Sequence, residues 1–195
     1  LCNEILKTLP VGYYAGRRIG ITLDEKAETS SYSLMEDAII VSYPIIAHRM
    51  NQVSNTANLE EAIRSMLYHE VSHAIMTHPE NLPPNVKNNI FEDERIETVL
   101  KDYYIGTDFK KQLLEIHGGK IPKPEDATQA FFNAVRFRCA PKDILNEIQN
   151  IIRQYATLNR TSDNWYDWQG YRNAIHALFD KIAKDFAEHP ENYQP

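Results

Sequence analysis

The spacing of apolar positions changes along the chain, and each change marks a different element. Residues 37–43, Asp-Ala-Ile-Ile-Val-Ser-Tyr, form a short, continuous, β-branched run that reads as a strand. From Asn58 onward the period lengthens. Leu59, Ala62, Ile63, Met66, Leu67, Val71, Ala74 and Ile75 follow the i, i+3, i+4 spacing of a helix with one buried stripe. Asn58 is expected to cap this helix, with Glu61 completing a capping-box-like pair, and Pro79 to stop it. A second helical pattern opens at Asn89, with Ile96, Val99, Leu100 and Tyr103 on its buried side. Ahead of these, residues 3–8 read as a helical lead-in stopped by Pro10, and residues 12–23 as one or two strands.

Beyond residue 104 the pattern is helical to the end. Residues 108–117 run into Gly118-Gly119, a C-cap signal, and a Pro122-Lys123-Pro124 loop leads to a helix over 126–139. Pro141 opens a helix reaching about residue 158. Residues 165–188 form a long amphipathic helix with Tyr171, Ile175, Leu178, Ile182 and Phe186 on one side. The aromatic group Trp165-Tyr166-Asp167-Trp168 at its start suits core packing better than a contact surface. The expected fold is α+β, mainly α, in one domain over 1–195. Residues 1–104 supply the sheet and the two site helices, and 105–195 form a helical wall behind them.

Chemistry enters where the first helical stripe is interrupted. His69-Glu70-Val71-Ser72-His73 is an HExxH sequence. On a helix, residues four apart stack on one face, so two neutral imidazoles at this spacing can share one Zn²⁺. The intervening carboxylate can then address a metal-bound water, which is the working core of zinc metallopeptidases. Glu70 occupies a position where the next apolar residue of the stripe belongs, and a carboxylate there is costly unless it is paired or bound.

A catalytic zinc needs a third protein ligand and one open position. The metzincin pattern would require Gly at 76 and His at 79; Met76 and Pro79 stand there instead. His78, at the end of the helix, reads as a surface or capping residue. The gluzincin solution is an acid on a following helix, roughly twenty residues on. Asn89-Ile90-Phe91-Glu92-Asp93-Glu94-Arg95-Ile96-Glu97 supplies candidates. Projected at 100° per residue, Glu92 falls near the middle of the apolar face, Asp93 at its edge, and Glu94 away from it. Glu92 is therefore the expected third ligand. Asp93 with Glu97 is the competing reading, with Asp93 as ligand and Glu97 orienting a ligand histidine from outside. An acidic first helical turn complementing the dipole would account for Glu94.

HEVSHAIMTHP followed by NIFEDERIE resembles the metallopeptidase-like domains associated with von Willebrand A modules in bacterial and phage proteins. A related acidic helix occurs in a cobaltochelatase-type subunit. The resemblance covers about residues 37–104, and Phe91 stands where those domains often carry Leu. It implies a zincin-like fold and a gluzincin-like zinc site at His69, His73 and an acid of the Glu92–Asp93 pair, with Arg95 and Glu97 as structural supports. It also implies that the free edge of the strand at Ile39, Ile40 and Val41 can hold an extended substrate peptide by main-chain hydrogen bonds. No metal-ion-dependent adhesion motif follows in this sequence.

Composition narrows the function classes. A chain of 195 residues with 43% hydrophobic and 25% charged positions suits an ordinary globular enzyme domain. A net charge of −6 argues against nucleic-acid or anionic-membrane binding, both of which need a basic field. No long apolar run or signal-like segment is present, and a cytoplasmic setting, bacterial or phage-infected, is the expectation. Cys2 and Cys139 have no CxxC spacing, so neither a disulfide framework nor a thiolate site is indicated.

Together these features predict peptide-bond hydrolysis with one Zn²⁺, Glu70 as general base, and a peptide or protein as substrate. Tyr103, Tyr104, His117 and His176 are candidates for an oxyanion donor, although the two histidines suit structural roles better. The alternative is a zinc-stabilised interaction module without turnover, partnering an ATPase, a von Willebrand A module or a phage structural protein. A metal-insertion role is a third reading.

Overall fold

The β-branched run forms the centre of a small sheet. β3 (Ala38–Ser42) pairs in parallel with β1 (Gly20–Asp24) and antiparallel with β2 (Ser31–Ser33), giving the order β1-β3-β2. Ile39 and Val41 are buried beneath the helices, as a strand covered on both edges requires. This corrects the assignment of Ile39, Ile40 and Val41 as a substrate-binding edge, because β3 has no free edge. Among the described residues β2 is paired on one side only. The computed structural model describes residues 7, 18–33, 35–52, 56–78, 85–104, 106–160 and 165–195, and for residues 52, 56–58 and 165 the backbone alone. Of the expected lead-in helix at 3–8 only Lys7 lies within them, and Pro79 and Cys2 lie outside.

Tyr43, expected in the strand, instead opens α1 (Tyr43–Gln52), so a ten-residue helix separates the sheet from the motif helix. Ser42 accepts from the Ile45 main-chain N–H at 3.3 Å, a local side-chain cap that turns the chain out of the sheet. The motif helix α2 (Thr56–Met76) begins two residues before the expected cap. α3 (Val86–Leu100) begins three residues earlier than its apolar pattern shows. Asn85 caps it, accepting from the main-chain N–H of Lys87 and Asn88. Its buried side ends at Leu100. Tyr103 lies in an exposed 3₁₀ turn (Lys101–Tyr103), and Tyr104 is buried in its place.

The C-terminal elements follow the apolar pattern closely: α4 (Phe109–Ile116), α5 (Ala127–Phe137), α6 (Lys142–Gln154) and α7 (Trp165–Glu188). Asp108 and Asp126 cap α4 and α5 through the N–H of Lys111 and Gln129. Gly118 and Gly119 both adopt positive φ after α4, where a side chain would be strained. Two apolar clusters result. One joins the sheet to α2 and to Ile96 and Leu100 of α3. The other joins Ile90 and Phe91 of α3 to α5, α6 and α7, and includes Trp168, Tyr171, Ile175, Leu178 and Ile182. Each large side chain buried there contributes about 1.5–3 kcal/mol. α3 belongs to both clusters, so its position is fixed at both ends. No helix among the described residues is long and apolar enough to cross a membrane.

Candidate metal centre

α2 and α3 pack side by side and bring three donor atoms together. His69, His73 and Asp93 each offer one ligand atom, all within 4.8 Å of one another, a grouping that could hold a metal ion. The two imidazoles stand edge to face with ring centroids 4.8 Å apart. Both direct Nε2 toward the same carboxylate oxygen: Asp93 Oδ1 lies 3.1 Å from His73 Nε2 and 3.7 Å from His69 Nε2. Asp93 is one-fifth exposed, at the edge of a cleft of about 480 Å³ that all three residues line.

The outer nitrogens are held just as specifically. His69 Nδ1 lies 2.9 Å from Glu97 Oε1, which also accepts from Arg136 Nη2 at 2.9 Å. Although burial opposes it, the Arg136 guanidinium and the His69 contact hold the Glu97 carboxyl down at about 2. An ionised carboxylate only accepts, so Nδ1 of His69 is the donor. His73 Nδ1 lies 3.0 Å from Thr77 Oγ1, and Thr77 gives its single hydroxyl proton to Glu92 Oε1 at 2.7 Å. Nδ1 of His73 must therefore also donate. Both rings are fixed in the orientation that leaves Nε2 facing the cleft, the arrangement a metal-binding histidine needs. Burial lowers the His69 pKa, but the charges of Asp93, Glu97 and Glu70 outweigh it and raise it to about 9. The pocket is thus a strong attractor of positive charge.

Glu92, the expected third ligand, is corrected by this arrangement. Its projection onto the apolar face gives its burial correctly, for it is 1% exposed, but the reason for that burial is different. Arg95 grips both its oxygens at 2.8 and 2.7 Å, Tyr171 donates to Oε2 at 2.8 Å, and Thr77 donates to Oε1. Against the cost of burial, the Arg95 charge and these donors keep its pKa below the ordinary carboxylate value. Glu92 acts on His73 from one residue further out, through Thr77. Asp93, one position on and about 100° round the helix, takes the inner place. Glu94 also departs from expectation: it is buried and ion-paired to Lys110, Arg136 and Arg138. Arg136 thereby links Glu94 to Glu97 and stiffens the support of His69.

Glu70 lines the cleft on the same side of α2 as the two histidines and is 7% exposed. Its carboxylate makes no hydrogen bond or ion pair with another described residue. Burial raises its pKa above the ordinary value, while the two imidazoles pull it down. A carboxylate held in a cleft with its oxygens free is equipped to take a proton.

The other candidates lie elsewhere. His78 stacks on Trp168, His117 on Phe132 and Phe137, and His176 sits near Asn85. Tyr104 is buried against Ser72, with its hydroxyl pKa pushed up by burial, and Tyr103 is on the surface. Trp168 is core, while Tyr166 is exposed. Sequence reasoning passed over Thr77, which was findable because it lies four residues beyond His73 on the same helical face. Arg136 and Tyr171 carry no local signal, as both reach the site across long chain separations.

Two expected outcomes follow from this network. Thr77→Val removes the acceptor for His73 Nδ1, and metal affinity measured against a chromogenic chelator should fall about 10–100-fold; unchanged affinity would mean that the relay does not act on the ring. Glu92 and Glu97 both titrate below their ordinary values in the folded state. Their contribution to stability is therefore complete above about 4.5 and is lost as pH falls through that value toward about 2. Melting temperatures of the metal-free protein should decline across that window, with a shallower decline in Glu97→Gln.

Compared with protein-family models, with curated proteins and with solved structures, the chain matches none.

Proposed function

We propose that the protein is a zinc-dependent peptidase. The observation that carries this reading is the division of labour among the acids around the two histidines. Asp93 converges with both Nε2 atoms, Glu97 and Glu92 are committed to the outer sides of the rings, and Glu70 lines the cleft with no hydrogen-bond or ion-pair partner among the described residues. A site built only to hold an ion structurally would use a fourth side chain to close it. The donor set fits zinc, which favours two imidazoles and a carboxylate in catalytic sites. When bound, the ion would lower the pKa of a water molecule and polarise a carbonyl oxygen.

The chain's own residues supply the rest. With their Nδ1 protons held by Glu97 and Thr77, His69 and His73 would offer Nε2 to an ion that displaces the Nε2 protons facing Asp93. Glu70 takes a proton from the attacking water and returns it to the leaving amine. Ser31 and Tyr32 of β2 line the cleft beside this group, and a strand bordering the cleft can align an extended peptide through main-chain groups. A three-stranded sheet whose antiparallel edge strand lies beside the motif helix supports a zincin-like arrangement.

The test is cleavage of denatured casein by the zinc-loaded protein. Fragments should appear, be suppressed by 1,10-phenanthroline and return on adding zinc. A protein that binds zinc stoichiometrically yet yields no fragments would instead support the interaction module, in which the ion joins α2 to α3 and stabilises the fold.

A further inference from the structure

Away from the metal centre, toward the start of α2, the cleft is lined by apolar side chains, and a cation also borders it. Met66 and Ile63 lie one and two turns before His69 and Glu70 on α2, so they extend the cleft floor by about 5 Å per turn. Ile46 of α1, and Phe109 and Leu113 of α4, face them across the space. Arg49, three residues beyond Ile46 on the same face of α1, also lines the cleft. Its Nη2 donates to the Gln112 carbonyl at 3.3 Å, and no acid among the described residues pairs with it. The other arginine in the cleft, Arg136, is fully engaged by Glu94 and Glu97. Gln112 also lines the cleft, and its side-chain oxygen is buried without a hydrogen-bond partner. An unneutralised guanidinium beside an orphaned acceptor, bordering an apolar chamber, is complementary to a group carrying a carboxylate and an N–H.

We propose that this end of the cleft is a recognition subsite for a peptide with a large apolar residue followed by a carboxylate, the apolar side chain filling the chamber and the carboxylate meeting Arg49. The peptide N–H is then placed to donate to Gln112. The carboxylate can be an Asp or Glu side chain or the chain terminus. The inference rests on the peptidase reading for its substrate class, but its binding chemistry does not require turnover.

The experiment uses the zinc-loaded protein and quenched fluorescent peptides of one sequence, Leu-Glu against Leu-Gln, and Leu with a free C-terminus against its amide. The same peptides are titrated calorimetrically into zinc-loaded Glu70→Gln. The carboxylate member of a pair should be favoured about 10–100-fold, as expected for a charge-assisted fork. Which pair shows the preference identifies the source of the carboxylate. Replacing Leu by Ser should cost about tenfold or more. Arg49→Gln should bring the carboxylate-to-amide ratio close to one, and Arg49→Lys, which keeps the charge but not the fork, should reduce it at least about threefold. Cleavage with no carboxylate preference, or a preference that survives in both Arg49 variants, overturns the subsite and leaves the peptidase reading intact. Arg49-dependent preference in the titrations without cleavage of any peptide supports the subsite and removes the peptidase.

Discussion

Glu70→Gln should retain the full complement of zinc while peptide hydrolysis falls by about 10²–10⁴-fold, the usual worth of a positioned general base. Glutamine nearly matches the size of the carboxylate it replaces, and among the described residues Glu70 makes no side-chain bond whose loss would disturb α2. The histidines keep their outer partners, Glu97 and Thr77, so the donor set remains assembled. Elemental analysis and initial rates on one preparation separate the two quantities. Loss of zinc together with activity would make Glu70 a ligand. Parent-like rates with bound zinc would remove it from the mechanism. The same variant shows whether the raised pKa of Glu70 matters, because a pH–rate profile governed by this group has an acid limb that the variant lacks.

Arg95→Met should destabilise the fold by about 3–5 kcal/mol, the cost of leaving a buried charge without its partner. Arg95 is wholly buried. Besides gripping Glu92 it donates to the carbonyls of Met76, Tyr155 and Leu158, so it ties the end of α2 and the turn after α6 to α3. Removing the guanidinium alone strands Glu92 and the carbonyl oxygens of Met76 and Leu158, while that of Tyr155 keeps the Leu158 N–H. Replacing both members, Glu92→Leu with Arg95→Met, should recover part of that loss, since the carbonyls stay unpaired while the isolated charge is gone. Urea denaturation of the two variants and the parent gives the comparison. If the single and double variants fall equally, the ion pair is not what the single variant lost. The double variant should also bind zinc more weakly than the parent, because Thr77 then has no carboxylate to receive its proton.

Legibility in the sequence differed between elements for physical reasons. The amphipathic helices α4 to α7 were readable to within about four residues, since each has a continuous apolar stripe and they start after Asp108, Asp126, Pro141 and residue 164. The sheet was only half readable. The run at 38–42 marked β3, but apolar content cannot say which neighbours pair with a strand, and β2 is three residues of Ser-Tyr-Ser with almost no periodic signal. The HExxH helix announced two candidate ligands and a candidate base. The third ligand was not fixed by projection, because the test applied was burial. Glu92 is buried where Arg95 neutralises it, whereas a metal-binding carboxylate must face the cleft and stay partly exposed. Asp93 at the edge of the stripe met that condition. Arg95, three residues beyond Glu92 on the same helix, was the sequence signal that could have separated the two.

The shared membership of α3 in both apolar clusters sets a lower limit on any active fragment. A truncation after Tyr104 would keep every donor atom in the polypeptide, yet it would strip Ile90 and Phe91 of the helices that cover them and remove Tyr171 and Arg136 from behind Glu92 and Glu97. The smallest piece able to assemble the centre therefore extends through α7, although the three grouped donors all lie at or before residue 93.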